Sequence, residues 1–142
     1  MELFGTGIGG ACCTHREYDM KNKLVLVVED ELLVRMMAAD ILVGAGCSVL
    51  EFATAEEAIR FCENPANAMD AVFTDINMPS GRSGLELASI VAATRPGARI
   101  VITSGRYARK PDSIADEVRF LPKPWSERAL LCSMKDMIEP PR

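Results

Sequence analysis

Leu24-Val25-Leu26-Val27-Val28-Glu29-Asp30-Glu31 sets three carboxylates directly behind five consecutive apolar residues. A strand with one wet face alternates apolar and polar residues, whereas a run that is apolar throughout fits a parallel strand covered on both faces. Residues 24–28 therefore predict a central strand, with Glu29 and Asp30 emerging at its C-terminal end.

Working outward, the chain alternates short β-branched runs with longer segments of helical period, the pattern of repeated βα units on a parallel sheet. Val34, Met37 and Ile41 predict the core stripe of a first helix, which stops at Gly44 and Gly46. Ser48 to Phe52 reads as strand two, and Thr54-Ala55-Glu56-Glu57 has the spacing of a capping box that starts helix two, which fades before Pro65. Ala71 to Thr74 is strand three and delivers Asp75 to its end, after which Met78-Pro79-Ser80-Gly81 turns the chain. Leu87, Ile90, Val91 and Thr94 share one face of helix three, which Arg95-Pro96-Gly97 ends. Arg99 to Thr103 and Val118 to Leu121 read as strands four and five. Between them Pro111 leaves room for a helix four of about two turns, from Pro111 to Val118. A final helix runs from about Trp125 to Ile138, with Leu130, Leu131, Met134 and Ile138 buried.

The 142 residues, 49% of them hydrophobic, suffice for one core. A formal net charge of −4 disfavours direct nucleic-acid binding, which needs a basic surface for phosphates. Five cysteines, without CxxC or Cys/His spacing, read as reduced thiols. No apolar run reaches the roughly 18 residues of a membrane span, and no basic-then-apolar leader begins the sequence, so a cytoplasmic protein without membrane contact is expected. Residues 1–20 crowd Gly5, Gly7, Gly9 and Gly10 without apolar periodicity and read as a flexible tail ahead of one domain over residues 21–142. The GxGxxG at residues 5–10 has no room for a strand before it, so it is not a dinucleotide site. His15, the sole histidine, lies in this tail as a bystander.

In an open parallel sheet the ligand crevice lies beyond the C-terminal strand ends, so Glu29, Asp30 and Asp75 should converge there. Two carboxylates about 4 Å apart repel by roughly 4 kcal/mol at an effective dielectric near 20, and a hard divalent cation, Mg²⁺, relieves this. An Asp beside Mg²⁺ suits phosphoryl transfer with an aspartyl phosphate as product. Asp75 alone would read as a turn cap, and its combination with Glu29 and Asp30 changes that reading.

LVLVVEDE at 24–31, VFTDINMP at 72–79, ITS at 102–104 and LPKPW at 121–125 follow in order at the ends of strands one, three, four and five. Together they resemble the four motifs of the receiver domain family, the flavodoxin-like group that includes the chemotaxis response regulator. The resemblance runs from about Leu24 to Ile138. It implies an α/β, doubly wound, five-stranded parallel sheet of order 2-1-3-4-5 with helices on both faces.

On matching positions it further implies Asp75 as phosphoacceptor, with Glu29, Asp30, Asp75 and the backbone carbonyl of Asn77 around Mg²⁺. Lys123 would pair with the phosphoryl oxygens and be followed by a cis peptide to Pro124. Ser104 would be the switch hydroxyl and Phe120 the aromatic that reports the state. Thr103 competes with Ser104, but only one of two neighbours on a strand can face the site, and Gly105 favours Ser104. A sensor histidine kinase or histidine phosphotransfer protein would supply the phosphoryl group, and a downstream protein would read it. Two departures stand out: Gly84 comes one residue later than in the commonest family pattern, and Ser104-Gly105-Arg106-Tyr107 resembles a subgroup with a degenerate helix four.

Three other readings compete. A flavin-phosphate carrier would be repelled by Glu29-Asp30-Glu31. An Asp-nucleophile phosphatase of the haloacid dehalogenase type needs DxD after strand one, where this chain has Glu-Asp-Glu. A docking module that is never phosphorylated has no need of the acidic set, Lys123 and Ser104.

Overall fold

A computed structural model describes residues 20–78 and 81–138. The elements follow in the order β1 (Leu24–Val28), α1 (Leu32–Gly44), β2 (Ser48–Phe52), α2 (Ala55–Glu63), β3 (Ala71–Asp75), α3 (Gly84–Thr94), β4 (Arg99–Ser104), β5 (Arg119–Pro122) and α4 (Glu127–Ile138). All strands are parallel in the order β2-β1-β3-β4-β5, the flavodoxin-like arrangement expected. The tail reading, its glycine motif, His15 and the turn residues Pro79 and Ser80 lie outside the described residues, as does the Ile138 side chain.

Helices cover both faces of the sheet. Val25 and Val27 of β1 point into a core shared with α1 and α4, and Leu26 and Val28 into one shared with α2 and α3. Double coverage explains why residues 25–28 are apolar without alternation, all at 0% exposure. Met20, which the sequence reading grouped with the tail, is 1% exposed and packs with Leu42 and Met134 in the first core. Among the described residues no helix is long and apolar enough to cross a membrane.

Register places the site. Val28 pairs with both Phe52 and Thr74, Asp75 with Thr103, and Ser104 with Pro122. The residues that follow these pairs, Glu29 and Lys123, therefore emerge at one edge of the sheet beside Asp75 and Ser104. The strand order reverses between β1 and β3, which opens the crevice at that point.

Several expectations need correction. On α1 the core face is Ala38, Ala39 and Leu42, while Val34 and Ile41 are only partly buried and Met37 is 53% exposed. Leu32, Leu33, Met36 and Val43 are also exposed, so the helix is apolar around much of its circumference and periodicity could not select the face. The small Ala38 packs in the core with the sheet residues Val25 and Val27. On α3, Leu87 and Val91 are buried with Gly84 and Ala88, whereas Thr94 is exposed and donates its hydroxyl to the Ile90 carbonyl. The last helix starts at Glu127 rather than Trp125, because Ser126 Oγ accepts the Ala129 N–H and ends the preceding turn.

The expected helix from Pro111 to Val118 does not form. Residues 105–118 make isolated turns, closed by Ile114 N–H to Pro111 O and Val118 N–H to Ala115 O. Pro111 has no N–H to continue a helix and disfavours helical backbone at Lys110. The Lys110 ammonium instead ties the segment by donating to the carbonyls of Ala115 and Val118.

Candidate functional site

β1 and β3 carry the acidic residues to the crevice. Glu29, Asp30 and Asp75 each place one oxygen within 4.8 Å of the others, with Glu29 and Asp75 buried and Asp30 exposed. The Glu29 N–H donates to Phe52 O at 3.0 Å, and its Oε2 accepts the Glu31 N–H at 3.1 Å. Asp75 Oδ1 accepts the Asn77 N–H at 3.1 Å, and Oδ2 accepts from Lys123 Nζ at 3.1 Å.

Lys123 is also 3.1 Å from Glu29 Oε1. The pair is electrostatic rather than an aligned hydrogen bond, and Glu29 Oε1 is a buried oxygen without a hydrogen-bond partner. Burial raises the Glu29 pKa above the usual carboxylate value, opposed by the Glu31 N–H and by Lys123 and reinforced by the Asp75 charge. For Lys123, burial pulls the pKa down, but its close contacts with, and charge attraction to, the Asp75 and Glu29 carboxylates outweigh that and leave it raised. The site therefore holds two buried carboxylates around one ammonium, with an unsatisfied acceptor and the exposed Asp30 at its mouth. Three oxygen donors of this kind fit a hard divalent cation such as Mg²⁺.

Lys123 reaches the site because its N–H donates to Ser104 O at 3.0 Å, and the peptide to Pro124 is cis, as the resemblance implied. Ser104 shares the β4 face of Ile102, while Thr103 shares that of Val101 in the opposite core. The Ser104 hydroxyl is fully buried, donates to Asn77 Oδ1 at 3.0 Å and accepts the Arg106 N–H at 3.0 Å. Phe120 is partly buried on the α2/α3 side, within the packed group that includes Ile114. Without a helix between β4 and β5, an open groove of about 710 Å³ runs beside Phe120, lined also by Lys110, Arg119, Pro122 and Ala129.

The structure thus gathers Glu29, Asp30, Asp75, Asn77, Ser104 and Lys123 at one strand edge, with Phe120 on the neighbouring strand. Three features escaped the sequence reading. The Asn77 side chain, and not its backbone alone, engages Ser104. Gly84 N–H donates to Ile76 O at 3.3 Å, which draws α3 against the strand end. Arg35 donates to the backbone carbonyl of Glu29 at 2.9 Å. In sequence Arg35 is simply one charge on a largely apolar helix, with no signal that it reaches the end of β1.

Known proteins point the same way. The sequence profile described as "Response regulator receiver domain" matches residues 25–135. The chain is 34% identical over 119 residues to the sensor kinase CckA of Brucella abortus, a match that covers 81% of this chain and 12% of that protein. It is 33% identical over 105 residues to the transcriptional regulatory protein PdtaR of Mycobacterium tuberculosis, covering 72% of this chain and 50% of the other. The chain thus spans at most about half the length of these relatives. Among solved structures, the receiver domain of the hybrid histidine kinase CckA superposes with a TM-score of 0.68 at 33% identity, covering 82% of this chain and 99% of the other. A response regulator receiver protein from Sinorhizobium medicae gives 0.79 at 23% identity, covering 85% and 98%, a likeness of fold. With the profile spanning most of its length, this chain belongs to the response regulator receiver domain family, the phosphorylation-controlled signalling modules of two-component systems.

Proposed function

We propose that the domain accepts a phosphoryl group on the Asp75 carboxylate, with Glu29, Asp30, Asp75 and the Asn77 backbone carbonyl holding Mg²⁺. The observation that carries this reading is the Lys123 ammonium, 3.1 Å from both Asp75 Oδ2 and Glu29 Oε1, beside a three-carboxylate cluster. A new bond joins an Asp75 oxygen to phosphorus as the bond to the donor's imidazole nitrogen, or to the oxygen of an acyl phosphate, breaks and the donor leaves with its electron pair. The cation supplies neutralisation of charge on the phosphoryl oxygens. Lys123 can exchange its partner at Asp75 Oδ2 for a phosphoryl oxygen, since an ammonium on a flexible stem serves a group that comes and goes.

Receiver domains interact with histidine kinases. For this chain we take the donor to be a histidine kinase or a histidine phosphotransfer protein, and the reader of the signal to be a protein that contacts the changed surface. The test is incubation with Mg²⁺ and acetyl phosphate, followed by intact-mass spectrometry of wild type and Asp75→Asn. One phosphoryl group on wild type and none on the variant is expected. Labelling of both would move the acceptor elsewhere, and labelling of neither would reduce the domain to an unphosphorylated docking module.

A further inference from the structure

Arg35, in α1, sends its guanidinium back toward the end of β1. Nη1 donates to the Glu29 carbonyl at 2.9 Å and Nε to Glu51 Oε1 at 3.3 Å, with the Arg35 side chain only 16% exposed. Glu51 stands on β2 in register with Val27, so a single side chain bridges α1, β1 and β2. The carbonyl it holds belongs to the peptide that joins Glu29 to Asp30, two of the three clustered carboxylates.

The turn is otherwise held by the Glu29 N–H to Phe52 O at 3.0 Å and the backbone Arg35 N–H to Glu31 O at 2.9 Å, and neither bond engages the Glu29 carbonyl. The residue before α1, Glu31, makes no side-chain cap. Glu29 Oε2 accepts the Glu31 N–H, but a cation drawing on the Glu29 carboxylate competes for that bond. The bond from Arg35 goes to the backbone and is free of this competition. We propose that Arg35 is a positioning residue for the cation site: it fixes the plane of the Glu29–Asp30 peptide, with Glu51 anchoring its guanidinium, so that both carboxylates face the same cation. The inference rests on the reading of Glu29, Asp30 and Asp75 as the cation site.

Charge alone makes the opposite prediction, which renders the idea testable. A guanidinium bonded to the Glu29 carbonyl, in the peptide between two of the clustered carboxylates, repels a divalent ion bound there, so a purely electrostatic role means tighter metal binding when it is removed. A positioning role means weaker binding, since partners that orient metal ligands typically contribute about 10- to 100-fold in affinity. Arg35→Lys separates the two effects, because lysine keeps the charge but loses the planar fork that serves Glu29 and Glu51 together.

The experiment titrates Mn²⁺, with the free ion read by electron paramagnetic resonance, against wild type, Arg35→Ala and Arg35→Lys. Ile59→Ala, a core substitution on α2, serves as a destabilised control. Both Arg35 variants are expected to bind Mn²⁺ about 10-fold more weakly or worse, and the control as wild type does. Should Arg35→Ala fail to fold, Arg35→Lys decides by the same criterion. Wild-type or tighter binding by Arg35→Lys, or an equal loss in the control, overturns the role of Arg35 while leaving the cation site standing. A wild type that does not bind Mn²⁺ overturns the site and this inference together.

Discussion

The Ser104 hydroxyl and the Asn77 side chain are bonded to each other, Oγ to Oδ1 at 3.0 Å, across the loop that follows the acidic strand. Phosphorylation of Asp75 would add about −1.5 to −2 of charge and new acceptor oxygens beside this pair, so the hydroxyl must leave Asn77 to reach them. Asn77 would thus oppose the switching role proposed for Ser104, and the two residues should have opposite mutational signs. Asn77→Ala removes one hydrogen bond from the resting arrangement, about 0.5–1.5 kcal/mol, and should shift the balance toward the switched state by about two- to tenfold. Ser104→Ala should accept phosphate but transmit it poorly. Amide hydrogen exchange over residues 105–121, with and without beryllofluoride, checks both. Wild type should gain protection there and Ser104→Ala should not.

Lys123 occupies the oxygens that a divalent cation also wants. Lys123→Ala should therefore bind Mg²⁺ more tightly, about tenfold if a modest part of the roughly 4 kcal/mol charge interaction at this separation survives screening, while its reaction with acetyl phosphate slows. Calorimetric Mg²⁺ titration and a phosphorylation time course measure the two effects separately. A variant weaker in both would show that the ammonium shapes the site rather than competing in it.

Gly84 opens α3 at a point where a Cβ would fall on the Asp75 carbonyl and lie 2.9 Å from Thr74 Oγ1. Backbone cannot give way as a flexible side chain can. Gly84→Ala should cost about 3 kcal/mol in urea unfolding, at the upper end for overpacking, and should also reduce phosphorylation because the displaced group is the backbone of Asp75. A stability change below about 0.5 kcal/mol, the range of an ordinary surface substitution, would mean that α3 can move away freely.

Burial, reinforced by the Asp70 charge, raises the Cys47 thiol pKa to about 11. At pH 8 only about one part in a thousand is then thiolate, the reactive form. Cys62 is raised as well, chiefly by burial. Iodoacetamide at pH 8 should leave both residues unmodified in the folded protein and alkylate them once denaturant is added, as read by peptide mass spectrometry. As pH rises toward 11 the Cys47 rate should climb, provided the fold persists.

What the sequence by itself determined lies in local pattern. Unbroken apolarity over residues 25–28 marked a strand covered on both faces, and Thr54 capped α2 through the Glu57 N–H as its spacing implied. Glu29, Asp30 and Asp75 were legible as one cluster because parallel strands deliver their C-terminal ends to the same edge. The rotation of α1 was not legible, since a helix apolar around most of its surface offers more than one core stripe, and only contact with the sheet selects Ala38 and Leu42. Pro111 showed in sequence that helix four would be short, but that the segment forms only turns, with the Lys110 ammonium on the carbonyls of Ala115 and Val118, was visible only in the fold. Arg35 on Glu29 and Glu51, Gly84 against Asp75, and Asn77 on Ser104 were decided by tertiary structure alone. Each needs residues from separate elements at distances of a few ångströms, and strand register and helix packing set those distances where no periodicity records them.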